Sequence, residues 1–231
     1  MRIVLLAGAN SVHIIKWANK LAGLGHEISV VTCADHVPAP KHHETISSAV
    51  DVVALPYPSM NGIGYYTNAI ACRKIISSIA PDIVNAHYAS GYGTLARMSR
   101  VHPLAISVWG SDVYSFPDKS KWHKRLVTSN LRSADTVLST SEVMADRVRE
   151  LLQSPQLDVP VTPFGVDTEK YPSHFNRPES PATISIGLIK QQKKYIYGIE
   201  VLIEAISWLV KHHEDGVAPG FHLHIYGDGP A

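Results

Sequence analysis

The chain has 231 residues, of which 45% are hydrophobic and 18% are charged, a composition typical of globular proteins that excludes a disordered chain. Its 21 Lys and Arg residues nearly balance its 20 Asp and Glu residues, so the net charge of +1 excludes a global attraction to nucleic acid or to anionic membranes. The two cysteines, Cys33 and Cys72, lie in apolar runs without metal-binding spacing. This pattern favours buried free thiols in a reducing compartment, with a single disulfide as the alternative.

Strand and helix patterns alternate over the first 170 residues. Apolar runs predict strands at Ile3–Ala7, Glu27–Thr32, Asp51–Pro56, Asp82–His87, Pro103–Trp109, Asp135–Thr140 and Asp158–Gly165. Helical spacing predicts helices between them, one of which runs from Tyr65 to Ile79, and Ser139 with Glu142 forms a capping-box pattern before another. Seven strands with intervening helices predict an α/β fold, a Rossmann-like doubly wound parallel sheet. In such folds, ligands bind beyond the carboxyl ends of the strands.

The pattern divides the chain into an N-terminal domain at 1–170, a linker at 171–181 that is rich in proline and polar residues, and a further region at 182–231. That region contains one predicted β-α-β unit, with strands at Thr183–Ile189 and Phe221–Gly227. A unit of about 50 residues is too small to bury a core unaided. We therefore expect it to be the start of a second, incomplete Rossmann-like domain.

The N-terminal apolar run is too short for a secretion signal, and no later segment approaches the length of a membrane span. We therefore expect a cytoplasmic protein, peripheral at most to the inner face of the membrane. The basic helix predicted at 119–132 carries Trp122 and Leu126 on one side, a pattern consistent with contact to an anionic membrane or a lipid-pyrophosphate acceptor. A solvated helix face is the alternative that the charge pattern favours.

The first predicted strand leads into the turn GANS and then a helix. Gly8 permits a tight turn, and Asn10 or Ser11 can cap the helix. The free N–H groups and the helix dipole would attract a phosphate or a carboxylate. A purely structural turn is an equal alternative, because the turn does not contain the G-x-G-x-x-G pattern.

Polar residues also follow two later strands. His87 ends the predicted fourth strand, where doubly wound folds place reactive groups, although it could instead only cap its strand. Gly110, Ser111 and Asp112 follow the fifth strand and offer a hydroxyl and a carboxylate that could orient substrate hydroxyls, or an N-cap for a short helix. Three polar turns at adjacent strand ends together predict a ligand site.

Seven segments occur in an order and spacing that resemble the family 4 glycosyltransferases, in particular the bacterial enzymes that build polysaccharides and lipopolysaccharides. They are NSVHIIKWANKLAGLGHEISVVT, PDIVNAHYASGYGTLA, SVWGSDVY, ADTVLSTSEVM, VTPFGVDTEKY, IGLIKQQKKYIYGIEVLIEA and LHIYGDGP. The resemblance covers essentially the whole chain. It implies the GT-B fold, in which two Rossmann-like domains face a cleft, and transfer of a sugar from a nucleotide-sugar donor with retention of anomeric configuration, without an obligatory metal or other cofactor.

The resemblance also implies roles for single residues. His87 matches the catalytic histidine near the donor sugar. The acceptor side is matched by Ser11, His13, Gly110, Ser111 and Asp112, and the donor site by Gly8, Asn10, Gly165, Lys190, Lys194, Gly227 and Gly229. The acceptor would be a saccharide or a lipid-linked sugar. Lysines and helix N-termini would stabilise the charge that develops on the departing diphosphate in place of a metal, consistent with a sequence that has no D-x-D signature.

The sequence departs from the family pattern at two places. Leu188 stands where the family has an arginine, and after the GDGP turn the sequence ends at Ala231, before the glutamate pair that grips the ribose and the donor sugar in the family. We therefore expect the N-terminal portion of a transferase, with little or no activity in the 231 residues alone.

Two other functions compete with this interpretation. A truncated, non-catalytic module that binds a glycan or a partner protein would use the same acceptor-side residues. A dinucleotide-dependent oxidoreductase is disfavoured, because the glycine fingerprint is missing and no acidic residue follows the second strand before Asp35. His222 and His224 share one face of a strand but have no third ligand nearby in sequence, so we do not expect a metal site there.

Overall fold

The computed structural model describes residues 1–38, 45–169, 183–190, 197–211 and 220–227. The chain divides into two compact units, Met1–Val166 and Asp167–Ala231.

The first unit is built on a parallel sheet of six strands. They are β1 (Arg2–Leu6), β2 (Glu27–Thr32), β3 (Val50–Ala54), β4 (Ile83–His87), β5 (Leu104–Ser107) and β6 (Thr136–Leu138). Their order is β3-β2-β1-β4-β5-β6, so the direction of winding reverses between β1 and β4. This arrangement confirms the predicted doubly wound sheet, and it places the switch point where such folds bind ligands.

The seventh predicted strand, Asp158–Gly165, is wrong. Only Val161 pairs with the sheet, through an isolated bridge to Ser139. Pro160 and Pro163 lie on either side of that bridge and carry no N–H group, so neither can donate a ladder hydrogen bond. The segment therefore lies beside β6 without becoming a strand.

Helices flank the sheet of the first unit. They are α1 (Val12–Gly23), α2 (Gly64–Thr67), α3 (Ala69–Ile79), α4 (Gly93–Ser99), α5 (Lys121–Arg132) and α6 (Glu142–Leu152). The helix predicted from Tyr65 to Ile79 is thus two helices, which meet at Asn68. The Asn68 side chain is buried, and it both accepts from the backbone N–H of Tyr57 and donates to its carbonyl. This pair of hydrogen bonds anchors the junction to the preceding loop.

The predicted capping box before α6 is also wrong. The N-cap residue is Ser141, whose Oγ accepts from the backbone N–H of Met144 at 3.3 Å. Ser139 is buried, and its hydroxyl donates to the carbonyl of Ser141 instead. The pattern of a serine three residues before a glutamate therefore identified the helix but placed its start two residues early.

The core lies on both faces of the sheet. Alternate residues of β1 point to opposite faces, so that Val4 and Leu6 belong to one buried cluster and Leu5 to the other. Ile106 of β5 lies in the first cluster and Ile14 of α1 in the second, each fully buried. Burying one such side chain contributes about 1.5–3 kcal/mol. The ends of the strands are therefore held by a buried core on both faces of the sheet.

The second unit, as described, is one β-α-β. It contains the parallel strands β7 (Thr183–Ile189) and β8 (Gly220–Tyr226) and the helix α7 (Ile199–Lys211). None of the described side chains of α7 is buried. None of the helices in the described part of the chain is long and apolar enough to cross a membrane.

Candidate active site

A cavity of about 850 Å³ opens in the first unit at the carboxyl ends of the strands. Five predicted site residues line it, namely Gly8, Asn10, Ser11, His13 and His87. Of the other predicted residues in this unit, Gly110, Ser111, Asp112 and Gly165 are not among the described lining residues. Lys190 and Gly227 belong to the second unit, whereas Lys194 and Gly229 lie outside the described residues. The structure therefore brings the first turn and His87 together.

The turn after β1 is fixed by backbone hydrogen bonds. The N–H of Asn10 donates to the carbonyl of His36 at 3.0 Å, and the N–H of Ser11 donates to the carbonyl of Gly8 at 3.0 Å. A Cβ atom added at Gly8 would lie 3.1 Å from Asn10 Oδ1, so the turn packs tightly around this glycine. Ser11 is the N-cap residue of α1, but its side chain makes no capping hydrogen bond in the described structure. The Ser11 hydroxyl is therefore not used in holding the helix.

His87 lies at the end of β4 and is 2% exposed. Neither ring nitrogen has a hydrogen-bond partner among the described residues. The imidazole packs edge-on to Trp109 and Trp17, with ring centroids 5.4 Å and 6.0 Å away. Burial lowers the pKa of His87 to about 3, so the ring is neutral at physiological pH. A buried, neutral imidazole with two unused nitrogens costs free energy unless a ligand supplies the missing hydrogen bonds.

The chain leaves His87 through a strained turn. Tyr88 has a φ angle of +77°, an uncommon conformation for a bulky residue, and it opens a π-helical turn over Tyr88–Tyr92. Gly91 allows a close approach in this turn, because a Cβ atom there would lie 2.6 Å from the ring of Tyr65 and would force that ring to move. Strained backbone and π-helical turns concentrate at functional sites.

Asp112 holds the loops after β4 and β5 together. One carboxylate oxygen accepts from the N–H groups of Trp109 and Gly110, and the other accepts from the N–H of Ala89 at 2.8 Å. Burial raises the pKa of Asp112, although these backbone hydrogen bonds favour the charged form. Because the residue is 1% exposed and its oxygens face the backbone, the structure does not fit the predicted direct contact with an acceptor. Asp112 instead positions the loop that follows His87.

Gly110 and Ser111 contribute backbone geometry to the same loop. Gly110 has a φ angle of +130°, which favours glycine. The carbonyl of Ser111 accepts from the N–H of Phe116 at 2.8 Å and from the Ser115 hydroxyl. The Ser111 side chain is exposed and lies outside the described cavity lining. This geometry, like that of Asp112, offers no support for direct contact with a ligand in the cavity.

An aromatic cluster forms one wall of the cavity, and the sequence analysis missed it. The rings of His13 and Phe164 stack with their centroids 4.1 Å apart, and Trp109 meets both edge-on. Trp122 and Leu126 of α5 line the cavity as well. Trp109 and Phe164 each directly precede a glycine that was predicted as a site residue. An aromatic residue beside such a glycine could have indicated this wall of the cavity.

One group of side chains near the cavity has the types that bind metals. A ring nitrogen of His36, the Cys33 thiol and a carboxylate oxygen of Asp35 lie within 4.8 Å of one another. Burial raises the pKa of Cys33 to about 11. Burial also opposes ionisation of Asp35, but hydrogen bonds from the Ser59 hydroxyl and N–H outweigh it and lower the pKa of Asp35. The Asp35 carboxylate is thus already used to hold the loop at Ser59.

In the second unit, Lys190 directly follows β7. Its ammonium nitrogen lies 4.6 Å from the ring centroid of Tyr197, and its backbone N–H donates to the carbonyl of Tyr226. Gly227 follows Tyr226 at the end of β8. The two predicted donor-binding residues that the structure describes in the second unit therefore stand at the ends of paired parallel strands.

The chain is similar in fold to several solved structures. The chain is similar to sucrose-phosphate synthase from Thermosynechococcus elongatus, with a TM-score of 0.64 and 15% identity over 97% of this chain and 62% of that one. It is also similar to HepE from Anabaena in complex with UDP, with a TM-score of 0.62 and 15% identity over 99% of this chain and 61% of that one. The lipopolysaccharide outer core galactosyltransferase WaaB, in its apo form, has a TM-score of 0.55 and 14% identity over 99% of this chain and 61% of that one.

These similarities confirm the predicted GT-B-like fold class. The chain spans about three fifths of the length of these three proteins. No curated protein matches its sequence. Residues 2–141, more than half of the chain, match the model of the glycosyl transferase 4-like family. The chain therefore belongs to the glycosyl transferase 4-like family.

Proposed function

We propose that the protein transfers a sugar from a nucleotide-sugar donor to a saccharide or lipid-linked acceptor, with retention of anomeric configuration. The observation that carries this proposal is the placement of His87 in the cavity. Its two ring nitrogens lack partners, and it stands at the carboxyl end of β4, beside the switch point of the sheet. In the proposal, the acceptor sugar occupies this cavity, and a sugar hydroxyl supplies the missing hydrogen bond to His87 in the transition state.

The polar turns near His87 have different roles in the proposal. Asn10 and Ser11 offer an amide and a hydroxyl to the ligand from the N-terminus of α1, whose dipole favours developing negative charge nearby. Asp112 holds the loop after His87 through the N–H of Ala89. Positioning of this kind matters because only interactions that strengthen in the transition state accelerate the reaction.

The donor would bind through the second unit. We assign residues 182–231 to the nucleotide-sugar-binding domain, residues 1–170 to the acceptor-side domain and residues 171–181 to the linker. Lys190 and Gly227 at the strand ends, with Lys194 and Gly229 outside the described residues, would face the diphosphate. Lysine charge would stabilise the departing nucleoside diphosphate without an obligatory metal. UDP is the first nucleotide to test, since the similar protein HepE was solved with UDP.

The acceptor side borders a basic helix. The segment 119–132 contains five Lys and Arg residues and no acidic residue. Trp122 is 60% exposed and also lines the cavity. A cationic helix with an exposed tryptophan suits peripheral contact with an anionic membrane, which would present a lipid-linked acceptor. Together with the similarity to WaaB, this supports a role in cell-surface polysaccharide synthesis on the cytoplasmic side of the membrane.

The proposal is tested with the protein as its source cell produces it. A panel of nucleotide sugars is incubated with a membrane extract of that cell, and the released nucleoside diphosphate and the anomeric configuration of the product are measured. We expect one donor to be consumed with retention. Lys190→Ala should raise the KM for the donor, whereas Lys211→Ala, at the end of α7, is the matched control. Glycan binding without consumption of any donor would favour the non-catalytic binding module instead.

A further inference from the structure

The described lining of the cavity in the first unit contains no carboxylate, ammonium or guanidinium group. Among the described residues that line it, none is Asp, Glu, Lys or Arg. The polar groups that line it are hydroxyls, amides and imidazoles, such as those of Asn10, Ser11, Ser90 and His87. Burial keeps His87 neutral, because it lowers the pKa of the imidazole to about 3. A ligand beside His87 therefore meets a neutral imidazole together with hydroxyls and amides.

Two carboxylates lie close to the lining but are used elsewhere. Asp112 is buried and accepts three backbone N–H groups, and Asp35 accepts two hydrogen bonds from Ser59. Neither is among the described lining residues. A carboxylate or phosphate that entered the cavity would lose hydration without gaining a charged side chain among the described lining residues, and the N-terminus of α1 would offset only part of that cost.

The apolar part of the wall is aromatic. Trp109 and the stacked pair of His13 and Phe164 lie on one side, and Trp122 stands at the exposed edge. Flat, polarisable rings pack against the C–H faces of a ring-shaped ligand, while a few polar groups fix its orientation. The volume of about 850 Å³ lies within the range of sites for ligands larger than a single sugar ring.

We infer that this cavity binds an uncharged saccharide, so that the acceptor sugar of the transferase carries no carboxylate or phosphate on the part that enters. The inference rests on the proposed function, in which this cavity holds the acceptor. Trp109 and Trp122 provide the aromatic faces for the sugar ring. Asn10 and Ser11 offer hydrogen bonds to its hydroxyls.

The test compares probes that differ only in charge. Phenyl glucoside is paired with phenyl glucuronide, and phenyl galactoside with phenyl galacturonide, so that each pair differs by one carboxylate. Binding to the 231-residue chain is followed by tryptophan fluorescence, because Trp109 and Trp122 line the cavity. We expect at least one neutral probe to bind with a Kd at least about tenfold lower than its acidic partner. Equal or tighter binding of the acidic probes overturns the inference, as does the failure of every neutral probe to bind.

Matched variants show whether the probe occupies this cavity. Trp122 and Trp208 are 60% and 59% exposed, but only Trp122 lines the cavity, whereas Trp208 belongs to α7. Trp122→Ala should weaken binding of the neutral probe several-fold, and Trp208→Ala should leave it unchanged. Ile63→Arg places a positive charge at an exposed position of the lining and should shift the preference toward the acidic probe. If Ile63→Arg leaves the preference between the neutral and the acidic probe unchanged, the cavity is not the binding site.

Failure of this inference is distinguishable from failure of the proposed function. If the acidic probes bind better while a nucleotide sugar is still consumed, the transferase proposal stands and the neutral acceptor is excluded. If the neutral probes bind as expected but no nucleotide sugar is consumed, the transferase proposal fails and the cavity remains a saccharide site.

Discussion

The two units of the chain carry similar apolar patterns but bury them to different extents. In the first unit, β5 is buried at every position and α6 buries one face of the helix. In the second, α7 buries none of its described side chains, and Val201, Ile203 and Trp208 are exposed. The first unit therefore has a core of its own, while the described β-α-β of the second does not.

This difference shows that periodicity indicates an element but not its burial. Helical spacing correctly predicted a helix between β7 and β8, just as it predicted one between β1 and β2. Burial depends on what packs against the apolar face, which the local pattern does not contain. Local propensity sets the helix, and neighbouring elements set its contribution to stability.

The largest expected effect is on the free energy of unfolding, and it is tested by comparing one isoleucine from each unit. Ile106 is fully buried in the core of the first unit, whereas Ile203 of α7 is 47% exposed. Ile106→Ala should lower the free energy of unfolding by about 2–5 kcal/mol, because it removes buried methyl groups and leaves a cavity. Ile203→Ala should change it by less than about 0.5 kcal/mol. Urea unfolding followed by circular dichroism measures both, and equal losses would show that the two units share one core.

A smaller effect is expected at the carboxylate that joins two loops of the first unit. Asp112→Asn leaves at least one of the N–H groups of Ala89, Trp109 and Gly110 facing an amide NH₂. The expected loss is about 1–3 kcal/mol in the free energy of unfolding. Asp118→Asn is the control, because this exposed carboxylate pairs with Arg147 at the surface and should cost less than about 1 kcal/mol. An unchanged free energy of unfolding in Asp112→Asn would contradict the role of this carboxylate in positioning the two loops.

The next prediction concerns the pH dependence of stability, and it tests the buried imidazole of His87. The folded state holds this imidazole neutral, with its pKa lowered from 6.5 to about 3, so the unfolded chain takes up the proton first as pH falls. His87 therefore contributes stability above pH 6.5 that is lost as pH falls toward 3. The loss between about pH 7.5 and pH 5.5 should be about 1.4 kcal/mol.

His87→Phe should remove that part of the pH dependence, and it should keep or slightly raise stability at neutral pH, because two unpartnered nitrogens disappear. The free energy of unfolding of both proteins, measured across this pH range, gives the difference directly. Parallel curves for the two proteins would mean that the imidazole titrates normally in the fold.

The smallest expected effect separates a structural serine from a functional one. Ser141 caps α6 through a hydrogen bond from the N–H of Met144, so Ser141→Ala should cost about 1 kcal/mol. Ser11 occupies the same position on α1 without a capping hydrogen bond in the described structure, so Ser11→Ala should cost less than about 0.3 kcal/mol. Ser11→Ala should nevertheless weaken binding of the neutral glycosides. A thermal shift assay and the fluorescence titration together test this contrast.

The sequence predicted the sheet well because buried parallel strands leave apolar runs that a local reading detects. It failed where a residue's role depends on the direction of its side chain. Asp112 has the residue type of a ligand contact, but it is 1% exposed and its carboxylate accepts three backbone N–H groups. The contact between Trp109 and Phe164 in the cavity wall was missed for a related reason, since these residues come from distant parts of the chain and meet only in the folded protein.

The most direct test of the central claim measures sugar transfer to a neutral glycoside. The protein as its source cell produces it, and its His87→Phe variant, are given the nucleotide sugar that the donor panel identifies and the neutral phenyl glycoside that binds best. The disaccharide product is quantified by mass spectrometry, with donor affinity measured in parallel. We predict that His87→Phe lowers the rate about a hundredfold or more while the Kd for the donor changes little. A variant that transfers sugar as fast as the parent protein would contradict the account.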